Sequence, residues 1–214
     1  MLLTLSLLAS QNAGKRILIL VDGASPHSFK NAAEKGFSIQ TAVNSADDGD
    51  TIYVPPGEYM ENLKINKSVK LIANGTVEVK PVNPNDDIVE ILRDNVTLMG
   101  FTLVNQGGIR GIHVRGVVGY RIIGNTVLGG DYGLLIEDSS QGLAWGNEVR
   151  GCLFGIYLRE SFGNIVSQNT VESCKYGISV SLCLNITVAR NRVANCTYGL
   201  YNHISDRSNV SKNI

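Results

Sequence analysis

Hydrophobic and polar positions alternate along this chain in a pattern that repeats every 22 residues from Gly111 onward. Segments that begin at Gly111, Gly133, Gly155 and Gly177 superpose without a gap, and a truncated fifth begins at Gly199. Ile112, Leu134, Ile156, Ile178 and Leu200 follow the glycine, and Val114, Ile136, Leu158 and Val180 stand two positions further on. Alternation of this kind puts both sets on one face of a strand. Ile122, Ala144, Val166, Val188 and Val210 form a second apolar column, and Val127, Val149, Val171 and Val193 a third. A fixed period in the twenties marks a solenoid, each repeat being one coil stacked on the last. Three short strands per coil, stacked at the β spacing of about 4.8 Å, predict an all-β chain. The expected fold is a single-stranded parallel β-helix, right-handed by the usual crossover preference.

Upstream the register is looser. Residues 17–21 read as a short buried strand. Residues 38–46 read as a short amphipathic helix, with Ser38 as N-cap and Ile39, Ala42, Val43 and Ala46 on one face, placed to cap the start of the solenoid. Brief β-rich runs follow at Thr51–Val54, Leu63–Ile65, 69–72, 77–79, 88–92, 96–99 and 101–104, punctuated by Gly, Pro, Asn and Asp. The chain thus divides into a signal-like segment over 1–14, a strand and capping helix over 15–50, and a β-helix over 51–214. Ile214 falls within a coil, so a further segment or domain is expected to cover the open end.

Polar residues keep the same period. Asn125, Asn147, Asn169, Asn191 and Asn213 form a column expected at a tight turn, where asparagine tolerates the left-handed conformation and stacked amides bond along the axis. Tyr132, Phe154, Tyr176 and Tyr198 precede each glycine and are expected to stack ring on ring; exposed, they would form a sugar-binding platform. Cys152, Cys174 and Cys196 are also 22 apart. They are expected to pack as buried thiols, with one disulfide or a metal rung as alternatives. Cys183 falls in a column with Ser139, Ser161 and Ser205 and reads as a turn residue.

Bulk composition narrows the function. The 19 basic and 19 acidic residues cancel, which leaves no basic surface for nucleic acid. The longest apolar run, residues 1–9, is too short to span a bilayer. It resembles the apolar part of a secretory signal without a basic start. Six Asn-x-Ser/Thr sequons, at Asn66, Asn74, Asn95, Asn185, Asn195 and Asn209, exceed the roughly two or three that chance predicts from this composition. Both features fit an exported chain, and the sequons fit a glycosylated surface, although Asn- and Thr-rich turns would also raise their number.

Chemistry concentrates on the strand after each glycine. Its outward columns read His113, Leu135, Tyr157, Ser179, Tyr201 and Arg115, Glu137, Arg159, Ser181, His203. The second is a cross-strand charge ladder. Beside it, Asp138 and Glu160 are like charges one coil apart. A calcium ion or an acid/base role would explain such a pair, and Arg159 next door would neutralise it. His113, Glu137, Tyr157, Arg159 and Tyr201 are the candidate ligand-binding residues, and their mix of aromatic, acidic and basic groups suits a polysaccharide or cell-surface glycan. In an enzyme, Asp138, Arg159 and Glu160 would be catalytic. No dedicated metal set is read, and calcium is the one cation the acidic pair brings in. Three His and three Met without repeated spacing do not make a copper site.

The run from Arg110 to Val193 resembles the β-helix repeats of the NosD family, grouped with copper maturation, and of carbohydrate-binding surface proteins. Gly-Ile-His-Val-Arg115, Ile123-Gly-Asn-Thr, Leu153-Phe-Gly-Ile-Tyr-Leu158 and Ala189-Arg-Asn-Arg-Val carry the likeness. Upstream, Ser38-Ile-Gln-Thr-Ala-Val and Gly49-Asp-Thr-Ile-Tyr-Val-Pro-Pro-Gly-Glu-Tyr59 resemble the opening of pectin methylesterases and related pectin-lyase-like proteins. The resemblance covers about 36–214. It implies the β-helix fold, while the short catalytic motifs of the methylesterases and polygalacturonases are absent. The expected role is an exported, non-catalytic polysaccharide-binding or scaffold module. The alternatives are a lyase or hydrolase for acidic polysaccharides with a calcium- and arginine-assisted site, and a NosD-like copper-handling accessory protein.

Overall fold

A computed structural model describes residues 6–12, 15–21 and 36–214, with side chains from residue 36 onward. The chain is a right-handed parallel β-helix. Its three sheets have ten, seven and seven strands, and each coil contributes one strand to each sheet in turn. Arg110, Tyr132, Phe154, Tyr176 and Tyr198 pair in succession along the third sheet, which reproduces the 22-residue period as register. Two further strands, Ser6–Asn12 and Lys15–Val21, pair antiparallel, and the second runs parallel to Thr51–Val54 at the edge of the first sheet. Residues 17–21 are therefore a strand as expected, and Ser6–Asn12 within the signal-like segment is one as well. Residues 1–5 and 13–14 lie outside the described residues.

The core is the stack of inward aliphatic columns. Ile112, Leu134, Ile156 and Ile178 are buried, as are Ile122, Ala144, Val166 and Val188, and Val127, Val149 and Val171. Each fully buried side chain of this size contributes about 1.5–3 kcal/mol by leaving water. At the last coil the same columns surface: Leu200 and Val210 are exposed, around a hollow that Ile178, Val180 and Val188 also line. The opposite end is closed by the helix Ile39–Ser45, which buries Ile39, Ala42 and Val43. Ser38 caps it by accepting from the Thr41 N–H. A second cap was not legible in the sequence: the Glu61 carboxylate accepts from the Ile39 and Gln40 N–H groups, both at 2.8 Å, and so meets the positive end of the helix dipole. The strand Gly57–Met60 was also unmarked, because Pro55-Pro56-Gly57 reads as a turn.

The asparagine column is an amide stack. From Asn147 on, each carboxamide oxygen accepts from the backbone N–H of the preceding coil's asparagine at 2.9 Å and from that residue's Nδ2 at 2.9–3.1 Å, and the Asn125 oxygen accepts from the Phe101 N–H at 3.0 Å. Each Nδ2 also donates to a carbonyl of the coil before, as Asn147 does to Ile122 at 2.9 Å. The conformational reason differs from the expectation. The left-handed residue is the one before each asparagine: Gly124, Gly146, Gln168, Arg190 and Lys212 all have φ between +56° and +65°. The asparagines are chosen for hydrogen bonding across the corner rather than for tolerance of positive φ.

The glycine that opens each repeat has a steric role. A Cβ on Gly155 would lie 2.4 Å from Val171 Cγ1 and 2.6 Å from the Gly177 carbonyl oxygen, and Gly133 and Gly177 are crowded in the same way. Cys152, Cys174 and Cys196 fit beside these glycines, their sulfurs 3.1–3.4 Å from where each Cβ would stand. All four cysteines are free thiols; Cys152, Cys174 and Cys183 are buried and Cys196 is half-buried. The Cys174 sulfur beside it and burial together push the Cys152 thiol well up, against ready ionisation.

Candidate functional site

The third sheet gathers the chemistry. Strands Arg110–Arg115, Tyr132–Glu137, Phe154–Arg159, Tyr176–Ser181 and Tyr198–His203 lie side by side, so side chains at equal offsets meet across coils. At its centre is His113. Its ring Nδ1 lies 2.9 Å from an Asp87 oxygen and its Nε2 lies 3.2 Å from a Glu137 oxygen. Arg110 closes on the other Asp87 oxygen, and Arg159 on the other Glu137 oxygen. Arg159 also lies 3.7 Å from Glu160, and Lys64 lies 3.8 Å from Glu90. The result is a chain of alternating charge, Arg110–Asp87–His113–Glu137–Arg159–Glu160, laid across the coils.

Burial grades along this chain. His113 is only 4% exposed and Asp87 8%, whereas Arg159 and Glu160 are open to solvent. The outward column beginning at His113 is therefore not an open surface at its start. Leu135 is buried and Tyr157 half-buried, and only Tyr201 stands exposed. Arg115, expected in the charge ladder, makes no ion pair among those of the described residues, and within that ladder Glu137 is held by Arg159. Its guanidinium is exposed, so this link is worth at most about 1 kcal/mol.

Asp87 has the clearest electrostatic signature. Burial pushes its carboxyl up, but the hydrogen bonds and charges of His113 and Arg110 together outweigh that and hold it below its ordinary value of 3.8. The sign of the pH dependence follows. A depressed carboxyl contributes stability that is fully present above the unfolded value and is lost as pH falls through the folded one. Unfolding midpoints measured from pH 6 down to 2.5 are expected to fall with acid more steeply in the wild type than in Asp87→Asn. Parallel curves for the two would remove Asp87 from the account.

Asp138 and Glu160 occupy exposed corners with left-handed backbone, φ +49° and +50°, in a column shared with Gly116, Leu182 and Ile204. They stand at the turn leaving the third sheet, and Glu160 has Arg159 beside it. The donor atoms of Asp87, Glu90 and His113 do come within 4.8 Å of one another, the one group of three such residues among the described residues. Asp87 and Glu90 were not picked out from sequence, since their coil lies before the strict period begins: Glu90 pairs with His113 across a step of 23 rather than 22. Arg110, on the strand of His113 itself, was missed because its partner Asp87 lies on that earlier coil.

The aromatic column stacks tightly. Tyr132–Phe154, Phe154–Tyr176 and Tyr176–Tyr198 have centroids 4.7–5.1 Å apart and interplanar angles of 7–12°. Tyr157 joins between Tyr132 and Phe154. The rings cover one another's faces, and Tyr132, Phe154 and Tyr176 are half-buried. Tyr198 on the last coil is 48% exposed, and Tyr201 stacks against His203.

Known proteins share this architecture. The chain superposes on pectate lyase Pel9A with a TM-score of 0.59 at 14% identity, covering 72% of this chain and 49% of that one. An iota-carrageenase complexed to iota-carrageenan fragments gives 0.54 at 14%, covering 73% and 48%. These levels of identity establish the fold, and the chain spans about half of each enzyme. A cell surface glycoprotein of Methanothermus fervidus is 34% identical over 109 residues, 50% of this chain and 18% of that protein. The chain thus spans under a fifth of the length of that relative. No helix among the described residues is long and apolar enough to cross a membrane. Residues 43–214 match the family model described as periplasmic copper-binding protein (NosD), and the chain belongs to the NosD family.

Proposed function

We propose that this chain is an exported, non-catalytic β-helix module that contacts polysaccharide along the open part of its third sheet, through Tyr157, Arg159 and Tyr201. One observation carries the reading: the charged groups of the site are spent on one another. His113 lies between two carboxylates, Asp87 also takes Arg110, and Glu137 takes Arg159. Nucleophilic catalysis needs a nucleophile within hydrogen-bond reach of its base, and the partners of His113 are two carboxylates, with no Ser, Thr or Cys among them. A binding face needs only an exposed cation beside accessible rings, which Arg159, Tyr157 and Tyr201 supply. The carbohydrate-active neighbours and the surface glycoprotein relative support an exported carbohydrate context.

The family description brings copper with it, and the residues at His113 do not fit that ion. Both ring nitrogens face carboxylates, and the donors around them are hard oxygens, whereas copper(I) favours sulfur and copper(II) an accessible imidazole. A calcium-assisted lyase built on Asp138, Arg159 and Glu160 is the weaker reading, since Arg159 already neutralises Glu160.

Affinity electrophoresis through gels containing uronate or neutral polysaccharide tests the proposal. The wild type is expected to be retarded in at least one gel, equally with calcium or with EDTA. Arg159→Ala combined with Tyr157→Ala should migrate at least threefold closer to its sugar-free mobility, with an unchanged far-UV spectrum. Equal retardation of wild type and double variant would place the contact elsewhere.

A further inference from the structure

The six sequon asparagines are sorted by the fold. Asn66, Asn74, Asn95, Asn185, Asn195 and Asn209 are all exposed, and none of their side-chain carboxamides makes a hydrogen bond among those of the described residues. The six buried asparagines, Asn105, Asn125, Asn147, Asn164, Asn169 and Asn191, lack a serine or threonine two residues on without exception. In the amide stack that position is an inward valine, so those residues have no sequon by construction of the coil.

The repeats supply an internal control. One left-handed corner carries Asn95, Gly119, Gln141, Gly163, Asn185 and Arg207 on successive coils. Two residues on, the same coils carry Thr97, Arg121, Leu143, Ile165, Thr187 and Asn209. Threonine stands only in the two coils whose corner residue is asparagine. A second corner repeats the rule: Gly129, Gly151, Ser173 and Asn195 are followed by Asp131, Leu153, Lys175 and Thr197. The fold accepts charged, aliphatic and small residues at these positions, so packing does not account for the hydroxyl.

We propose that the six sequon asparagines are N-glycosylation sites, placed on corners and edges so that the third-sheet face stays bare. Asn66, Asn95 and Asn185 line the turn from the third sheet to the first, and Asn209 opens the first-sheet strand just beyond it. Asn74 and Asn195 stand on the other two turns. The strands that carry His113, Tyr157 and Arg159 hold no sequon. The co-reactant is an oligosaccharide linked to a polyprenyl phosphate or pyrophosphate, delivered by a membrane oligosaccharyltransferase. The asparagine Nδ2 bonds to the anomeric carbon, the bond from that carbon to the carrier phosphate oxygen breaks, the carrier phosphate leaves with the electron pair, and the amide gives up one proton. Thr97 is buried in the finished coil, whereas Thr197 is exposed. The Asn95 site is therefore read before its coil closes, and the Asn195 site stays readable afterwards.

The inference rests on export, which the experiment supplies independently. The full chain is placed behind a cleavable secretion signal in yeast, whose secretory pathway holds the transferase, and is compared with the same chain made in bacterial cytosol. The secreted protein is expected to gain mass in whole oligosaccharide steps, with sugar on the Asn95, Asn185 and Asn195 peptides. Thr197→Ala should remove the Asn195 sugar alone, and Thr197→Ser should restore it. Secreted protein whose Asn95, Asn185 and Asn195 peptides all carry bare asparagine would overturn the proposal and leave the polysaccharide reading untouched.

Discussion

Gly155→Ala is expected to be among the most damaging single substitutions in this protein, although it adds one methyl group. The new Cβ would stand 2.4 Å from Val171 Cγ1 and 2.6 Å from the Gly177 carbonyl oxygen. The valine is fully buried and the carbonyl belongs to the backbone of the next coil, so neither yields without opening the corner. Overpacking of this kind costs about 3 kcal/mol when backbone must move, which for a chain of this size lowers the thermal midpoint by about 6–12 °C. Gly146→Ala is the control. Its Cβ meets nothing within 4 Å, and its φ of +65° is shared by non-glycine residues in the same column. It should cost only the left-handed penalty of about 1–2 kcal/mol. A Gly155→Ala midpoint equal to that of Gly146→Ala would show that the coils are less tightly packed at this corner.

Asn169→Ala is the second large effect. Its side chain takes part in four hydrogen bonds: it accepts from the Asn147 N–H and Nδ2, and donates to the Ala144 carbonyl and to the Asn191 carboxamide oxygen. All are buried, and alanine leaves the Asn147 N–H without a partner and takes one donor from the Ala144 carbonyl. At about 1 kcal/mol per bond, more where a buried group is orphaned, the expected loss is about 2–4 kcal/mol. In a solenoid each coil is stabilised by its neighbours, so the damage should spread to adjacent coils. Hydrogen exchange should accelerate at the Asn147 amide and in the coils on either side. A denaturation midpoint within error of wild type would contradict the amide stack.

The sequence shows some of this directly and hides the rest for identifiable reasons. The coil, its 22-residue step and the inward valine and isoleucine columns are legible because stacked coils repeat the same environment, and the same environment selects the same residue. The helix at Ile39–Ser45 is legible through Ser38 and its one apolar face. The amide stack is legible too, but its conformational reason sits one residue earlier, where glycine, glutamine, arginine and lysine share a left-handed backbone and so leave no common letter. The heart of the candidate site is less visible. His113, Glu137 and Arg159 fall inside the strict period, yet Asp87, which joins His113 to Arg110, comes from a coil of different length. Column arithmetic cannot place Asp87 beside His113 without the register shift. Exposure is also misjudged by alternation alone. An outward position is assigned to solvent, whereas His113 points outward and is covered by the carboxylates that flank it.

The central claim is that this face holds polysaccharide without cutting it. The most direct test is to incubate the purified protein with a panel of neutral and uronate polysaccharides, with and without calcium, and to run each mixture on a size-exclusion column. The account predicts co-elution of protein with at least one intact polysaccharide, with its chain length unchanged and calcium without effect. Shortened polysaccharide in any mixture, abolished by Arg159→Ala, would contradict the claim and make Arg159 and its neighbouring acids a catalytic site.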